Sequence, residues 1–252
     1  MGRGNPLFLQ TPLLYVSTPM ILRIFTLILK PANPLQFSLT EFRSSLSRQL
    51  AEYPAPAIRR SPPERFIYRY PAIQCKQVKG ELMLIGIFQG AGILLQMAEG
   101  DPEITMGNNR CTIASRDREI RDEEFGITGG MHEYEFLTPW LALNQQHAKK
   151  FYDLHGKPAR DAFMQKILTS HLNTLAKSLD YTPAEPLSCT AHVRFRREQI
   201  DCENVMVFLG KFRTNLRIPD YLGIGQSVSQ GFGTLREIPG KKRSCDAYPV
   251  QP

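Results

Sequence analysis

The sequence predicts an α+β protein with one or two domains and a buried core, and three observations support this. Runs rich in branched and aromatic residues, which are typical of strands, alternate with segments whose apolar residues recur at helical spacing. The chain has 252 residues, a length that suits one large domain or two small ones. Hydrophobic residues make up 42% of it and charged residues 22%, so we expect a buried core and no wholesale disorder.

The first half contains six predicted elements in the order β-α-β-β-α-β. Pro31 and Pro34 end the first strand, and Lys79-Gly80 is expected to form the turn of a hairpin. In chain order the elements are a strand at 21–29, a helix at 38–50, strands at 65–76 and 81–87, a helix at 90–97 and a strand-like region at 104–120. This order is the ferredoxin-like motif, and we assign it to residues 20–122.

The second half shows the same mixture of strands and helices. Residues 121–130 are charged and then glycine-rich, so they are expected to form a linker. The predicted elements after the linker are a strand at 133–137, a helix from about 143, a long amphipathic helix at 160–179, and strands at 189–195 and 205–216. We assign a second domain to residues 130–238 and a flexible tail to 239–252.

The N-terminal region is apolar from residue 7 to residue 29 and is similar in composition to a membrane anchor. Gln10, Pro12 and Arg23 interrupt the run, whereas a spanning helix needs about 20 largely uninterrupted apolar residues. The run also lacks the clean apolar core and small-residue cleavage site of a signal peptide. We therefore expect no membrane partner, and we treat residues 1–19 as an extension outside the functional fold, which an upstream start codon would explain.

The net charge and the cysteines bear on the partner and the compartment. A net charge of +7 favours an acidic partner such as nucleic acid, although a merely basic soluble protein is equally compatible with it. The five cysteines are scattered and include no C-x-x-C pair, which argues against a disulfide framework and a zinc knuckle. We expect a cytoplasmic protein without a metal or cofactor.

The most distinctive segment is glycine-rich and lies at residues 218–235 (IPDYLGIGQSVSQGFGTL). Glycines let the backbone approach a ligand closely, and successive N–H groups can form a nest for phosphate oxygens. The candidate binding residues are Gly223, Gly225, Gln226, Ser227, Ser229, Gln230, Gly231, Phe232 and Gly233. A glycine-rich structural turn is the alternative. A nucleotide-binding enzyme is disfavoured, because the P-loop lysine is missing and the segment does not open a helix in a βαβ unit.

Three stretches together resemble a known family. They are residues 66–76 (FIYRYPAIQCK), residues 134–144 (YEFLTPWLALN) and the glycine-rich segment, in that order. The chain resembles the CRISPR-associated endoribonucleases that process repeat transcripts, which are members of the RAMP superfamily, and in particular the branch found with subtype I-B systems. The resemblance covers nearly all of residues 20–236.

The resemblance implies tandem ferredoxin-like (RRM-like) domains, the second degenerate, and a CRISPR repeat RNA as partner. It also implies cleavage of one phosphodiester of pre-crRNA without a metal, in which the ribose 2′-hydroxyl attacks the phosphorus and leaves a cyclic phosphate. This step needs a base for the 2′ proton, an acid for the 5′ oxygen and a donor at the phosphorane. A CRISPR effector complex is a further implied partner, and we expect a monomer or homodimer.

The sequence departs from the family at the loop before residue 66. That loop usually carries histidines in this branch, but residues 53–64 contain none, and Arg59 and Arg60 stand about where the histidines are expected. Arginine stays protonated, so it can hold a phosphate but cannot act as a general base. The remaining catalytic candidates are Tyr68, Tyr70 and Lys76 in the same module, and His132 in the second half. Two hypotheses stay open: an active endoribonuclease, or an RNA-binding homologue that does not cleave.

Basic residues of the second half are further candidates for RNA contact. Arg194 and Arg196 alternate on one predicted strand, and Lys211 and Arg213 alternate on the next, so the members of each pair share a face. Such a stripe fits an RNA backbone, and a solvated sheet face is the alternative. His171, on the long helix, is expected to be a surface or cap residue.

Overall fold

A computed structural model of the protein describes residues 18–32, 41, 70–99, 103–106, 109–200 and 203–240. Arg59, Arg60 and Tyr68 lie outside the described residues. So do most of the helix predicted at 38–50, most of the predicted extension at 1–19 and most of the predicted tail at 239–252. The elements in chain order are β1 (Met20–Pro31), β2 (Ile73–Val78), β3 (Glu81–Ile87), α1 (Gln89–Ala98), β4 (Glu103–Met106), β5 (Asn109–Phe136), α2 (Gln145–Asp153), α3 (Lys157–Ser178), β6 (Cys189–Ile200), β7 (Glu203–Arg217), a 3₁₀ turn (Val228–Gln230) and β8 (Leu235–Glu237).

The first half has a sheet whose strand order is β2-β3-β1-β5, with antiparallel neighbours throughout. Lys79 and Gly80 turn β2 into β3 as predicted, and both have positive φ (52° and 84°), as the tight type I′ hairpin turn requires. One face of the sheet buries Phe25 and Leu84 with Leu94 of α1 in a small core. The opposite face contributes to a larger core that it shares with the second half.

The second half has the strand order β8-β5-β7-β6, again with antiparallel neighbours. Its strands and helices follow the ferredoxin-like order up to β7, after which residues 218–234 stand where a second helix is expected. The predicted α+β class, with tandem ferredoxin-like domains and a degenerate second one, is confirmed.

The prediction of a linker at residues 121–130 is wrong, because these residues belong to the 28-residue strand β5. Met20 to Pro31 pair with the first part of β5, and β7 and β8 pair with its last part, so one strand serves both sheets. Of the charges that suggested a linker, Asp122 and Glu124 are exposed and Arg121 and Glu123 are half-buried, and Arg23 of β1 pairs with Asp122 at 2.8 Å. Two of the glycines that suggested a linker, Gly129 and Gly130, lie where the pairing of β5 with β7 shifts register, between Ile127 and His132.

The core of the second half lies between its sheet and helix α3. Trp140 is fully buried, stacks on Phe136 with ring centroids 5.0 Å apart, and meets Phe208 edge to face. Asn144 caps α2 by accepting a hydrogen bond from the His147 N–H at 2.8 Å. Of the helices in the described part of the chain, none combines the length and apolarity needed to cross a bilayer.

Candidate nucleic-acid interface

The three stretches that carry the family resemblance meet at one junction between the two halves. The Tyr70 hydroxyl donates to the Gly223 carbonyl and accepts from the Gly223 N–H, both at 2.8 Å. The Thr138 hydroxyl donates to the Gly231 carbonyl at 2.7 Å, and the Gly233 N–H donates to the Pro139 carbonyl at 2.8 Å. The glycine-rich segment is therefore fixed by the other two stretches.

The glycines of this segment permit close packing against neighbouring backbone. A Cβ at Gly231 would lie 2.7 Å from the Cys75 carbonyl oxygen, and a Cβ at Gly225 would lie 2.6 Å from the indole nitrogen of Trp140. Gly225, Gly231 and Gly233 also have positive φ, which disfavours any other residue. The glycines at 223, 231 and 233 are buried, so they face the protein interior.

The backbone N–H groups of the segment are mostly used inside the protein, which does not fit the phosphate nest that the glycines suggested. The Ile224 N–H donates to Gly233, the Gln226 N–H to Leu141 and the Gln230 N–H to Ser227. The side chains of Gln226 and Ser229 are exposed, whereas those of Ser227, Gln230 and Phe232 are half-buried. The segment therefore presents polar side chains to a ligand, and not backbone N–H groups.

Lys76 lies under the glycine-rich segment and is fully buried. Its Nζ donates to the Thr234 hydroxyl at 3.2 Å. Burial away from water lowers the pKa of this amine from 10.5 to about 7. Because the side chain has no exposed surface, it does not reach solvent in this structure.

His132, in contrast, lies near the surface and is held at both ring nitrogens. Its Nδ1 is 2.7 Å from a carboxylate oxygen of Glu237, and its Nε2 is 2.7 Å from the Thr128 hydroxyl. With Nδ1 protonated, the ring donates to Glu237 and accepts from Thr128. Glu237 and Thr128 were not among the sequence candidates, because Glu237 reaches His132 through the pairing of β8 with β5, and Thr128 reaches it through the irregularity of β5 between Ile127 and His132.

The four basic candidates of the second half lie exposed on neighbouring strands, as predicted. His192 of β6 is directly opposite Lys211 of β7, and Arg213 is opposite Thr190. Arg196 pairs with Glu198, while Arg194 has no carboxylate partner among the described residues. These side chains form what we call the basic face: Thr190, His192, Arg194, Arg196, Lys211 and Arg213.

Two other sequence expectations concern histidine and metal. His171 is not a surface or cap residue: its Nδ1 accepts from the Trp140 indole at 3.2 Å, and burial lowers its pKa to about 4. Within the described ranges, no group of three or more His, Cys, Asp and Glu side chains converges to hold a metal ion.

Comparison with known proteins supports the family resemblance. The Cas6b N-terminal domain model matches residues 20–124, and the Cas6b C-terminal domain model matches residues 126–238. An uncharacterised protein of Methanocaldococcus jannaschii is 32% identical over 128 residues, which are 47% of this chain and 81% of that protein.

Two solved structures are similar over most of the chain. A crystal structure of Cas6b superposes with a TM-score of 0.74 at 26% identity, covering 87% of this chain and 100% of that one. A crystal structure of the CRISPR RNA processing endoribonuclease Cas6b has the same fold, with a TM-score of 0.68 at 24% identity and the same coverage. Because the two domain models together extend from residue 20 to residue 238, the chain belongs to the Cas6b family, a branch of the CRISPR-associated, repeat-processing RAMP proteins.

Proposed function

We propose that this protein matures CRISPR RNA, by binding the repeat of a pre-crRNA and cleaving one phosphodiester without a metal ion. The observation that carries the proposal is the match of both halves to the Cas6b domain models. One of the similar structures is a CRISPR RNA processing endoribonuclease, which supports the same substrate class. The protein acts in the cytoplasm as a monomer or homodimer, and it passes its product to a CRISPR effector complex.

The basic face is the surface that we assign to the RNA backbone. Arg194, Lys211 and Arg213 form no ion pair within the described residues, although Glu133 and Glu135 of β5 lie opposite Arg213 and Lys211, and we assign these three cations to phosphates. The exposed side chains of Gln226 and Ser229 add hydrogen bonds at the glycine-rich segment.

His132 is the residue that we assign to proton transfer. Glu237 accepts from Nδ1 and so leaves the lone pair on Nε2, the arrangement that a general base needs. The RNA 2′-hydroxyl would replace Thr128 at Nε2, and Gly129 and Gly130 beside Thr128 have open space around them for that change. Lys76 has no part in this site because it is buried.

The second candidate function is RNA binding without cleavage. The observation that favours it is the absence of histidine from residues 53–64, where this branch of the family usually carries its catalytic residues. Arginines at 59 and 60 keep the ability to hold phosphate but not to accept a proton.

One experiment separates the two functions. The protein is incubated in EDTA with the repeat RNA of its host's CRISPR array, beside the same RNA with one 2′-deoxy residue at the mapped cut site. We expect the first RNA to be cut to a cyclic phosphate and the second to be bound but intact, because DNA-like sugars lack the attacking group. Tight binding without cleavage of either RNA establishes the second function instead.

Single substitutions test the role of His132 in cleavage and of Ser229 in RNA binding. His132→Ala should abolish cleavage and leave the Kd for RNA unchanged, whereas the matched control His155→Ala, at an exposed histidine, should cut normally. Ser229→Glu should weaken RNA binding by charge repulsion, whereas Ser170→Glu, at an exposed position of α3, should not. Normal cleavage by His132→Ala would remove His132 from the mechanism.

A further inference from the structure

A pocket of about 280 Å³ lies on the helical side of the second half, at strand β6. It is formed where the connection between α2 and α3 passes over β6. The buried side chains of Phe151, Met164 and Phe208 supply apolar lining. The volume is slightly below the range of roughly 300–1,000 Å³ that is usual for small-molecule sites, so it suits a group of the size of one nucleotide.

Phe195 is an exposed aromatic ring at this pocket. It shows 42% of its surface to solvent, although its ring centroid lies 5.5 Å from that of Phe151 and 6.4 Å from that of Phe208. Two buried rings therefore hold an exposed one in place. A nucleobase stacked on such a ring covers apolar surface and is tolerated whatever its sequence.

Two cations on the helical side of the pocket, Lys157 and Arg160, have no carboxylate partner in the described part of the chain, whereas Arg23, for example, is paired with Asp122. Arg194 of the basic face also borders the pocket. The Arg160 Nε donates to the Leu154 carbonyl at 3.1 Å. This bond orients the guanidinium and leaves its two terminal nitrogens to donate to a ligand.

Among the described residues of the lining, Asp161 is the one acidic side chain, so these residues are cationic on balance. A cationic pocket with an exposed aromatic ring fits an anion that carries a flat base, and not a purely apolar ligand.

Strand β6 connects this pocket to the basic face. It is an edge strand, and its side chains alternate, so Arg194 and Arg196 point to the open face while Phe195 points to the helical side. An RNA strand on the basic face reaches the pocket by passing around this edge.

On the basis of the proposed function, we propose that the pocket binds one unpaired nucleotide of the RNA. The base stacks on Phe195, and Lys157 and Arg160 hold the adjacent phosphate. The pocket is thus a second RNA contact, which adjoins the basic face at Arg194 and does not include His132.

The test measures the Kd of fluorescein-labelled repeat RNA by anisotropy at one salt concentration. We expect Phe195→Ala and Lys157→Gln each to raise the Kd, the first by about tenfold because base stacking on an aromatic ring contributes roughly 1–3 kcal/mol. Phe195→Trp should keep wild-type affinity. The controls are Phe88→Ala, at another exposed phenylalanine, and Lys166→Gln, at an exposed lysine further along α3, and neither should change the Kd.

A base-deleted RNA series identifies the nucleotide and guards against an unfolded variant. An abasic residue is placed at each unpaired position in turn, and the position that stacks on Phe195 should weaken binding to the wild type but not further to Phe195→Ala. If no position shows this coupling, or if Phe195→Ala binds all RNAs normally, the pocket is not an RNA site and a protein partner is the remaining occupant. If the wild type binds no RNA, the proposed function fails together with the pocket.

Discussion

Lys76 places an amine in the interior beneath the glycine-rich segment. The only hydrogen bond of its Nζ in the described structure, to Thr234, is long at 3.2 Å, and no carboxylate balances its charge there. A buried cation without a partner costs stability, and the protein avoids part of that cost by releasing the proton near neutral pH. The residue therefore contributes to a pH dependence of folding.

Lys76→Met should raise the free energy of unfolding, and the gain should depend on pH. The pKa of Lys76 is about 7 in the folded state and near 10.5 when unfolded, so between these values the unfolded state binds more protons and wild-type stability rises with pH. The gain from methionine is therefore largest at or below pH 7 and shrinks by up to about 5 kcal/mol toward pH 10.5.

Urea denaturation of both proteins across this pH range measures the difference. Lys177→Met, at an exposed position of α3, is the control and should change stability by little at any pH. A gain from Lys76→Met that is constant with pH would show that the folded amine stays charged.

His171 predicts a second pH dependence, in the acid range. Its pKa falls from 6.5 to about 4 on folding, so the unfolded state binds more protons between these values. Stability contributed by the neutral ring is complete above pH 6.5 and is lost as the pH falls through 4, by roughly 3 kcal/mol. Melting curves of His171→Gln should show a smaller loss between pH 6.5 and 4 than the wild type, whereas exposed His155→Gln should match the wild type.

At the scale of the element, the glycine-rich segment packs where a second helix of the ferredoxin-like order would lie. Its glycines allow backbone to touch backbone, so alanine at these positions is doubly unfavourable. Gly231→Ala puts a Cβ 2.7 Å from the Cys75 carbonyl oxygen at a φ of 89°. We expect a loss of about 3 kcal/mol from strain and overpacking together.

Gly92→Ala is the matched control and should have the opposite sign. Gly92 lies inside α1, is exposed, and has nothing within 4 Å of its added Cβ. Alanine should therefore stabilise the protein by about 0.5–1 kcal/mol. Chemical denaturation measures both variants, and equal effects at the two positions would contradict the packing role of Gly231.

Local signals in the sequence predicted the elements but not what they contact. The Lys79-Gly80 turn, the strand at 21–29 and the helix at 160–179 depend on neighbouring residues, and the structure confirms all three. The continuity of β5 through residues 121–130 was missed because the charges there are balanced by ion pairs to neighbouring strands, Asp122 with Arg23 and Glu124 with Arg217. Gly231 packs against Cys75, which is far away in the sequence, and neighbouring residues give no sign of that contact. The glycines alone therefore predicted a phosphate nest.

At the scale of the molecule, the two halves share both a strand and a core. β5 pairs with β1 in the first sheet and with β7 in the second, so neither sheet is complete without it. The larger core contains Ile24 and Ile85 from the first half together with Trp140 and Leu172 from the second. Two ferredoxin-like units joined in this way differ from two domains on a flexible linker, which unfold separately.

The described structure therefore predicts one cooperative unfolding transition for the two halves. Trp140, the only tryptophan, reports on the second half by fluorescence, while circular dichroism reports on the strands of both halves. Because opening the first half exposes the shared core, the urea midpoints from the two probes should coincide. Leu22→Ala, in the first half, should lower both midpoints equally, since Leu22 is buried in that core. A variant whose circular dichroism midpoint falls while its tryptophan midpoint stays would show that the halves unfold independently despite sharing β5.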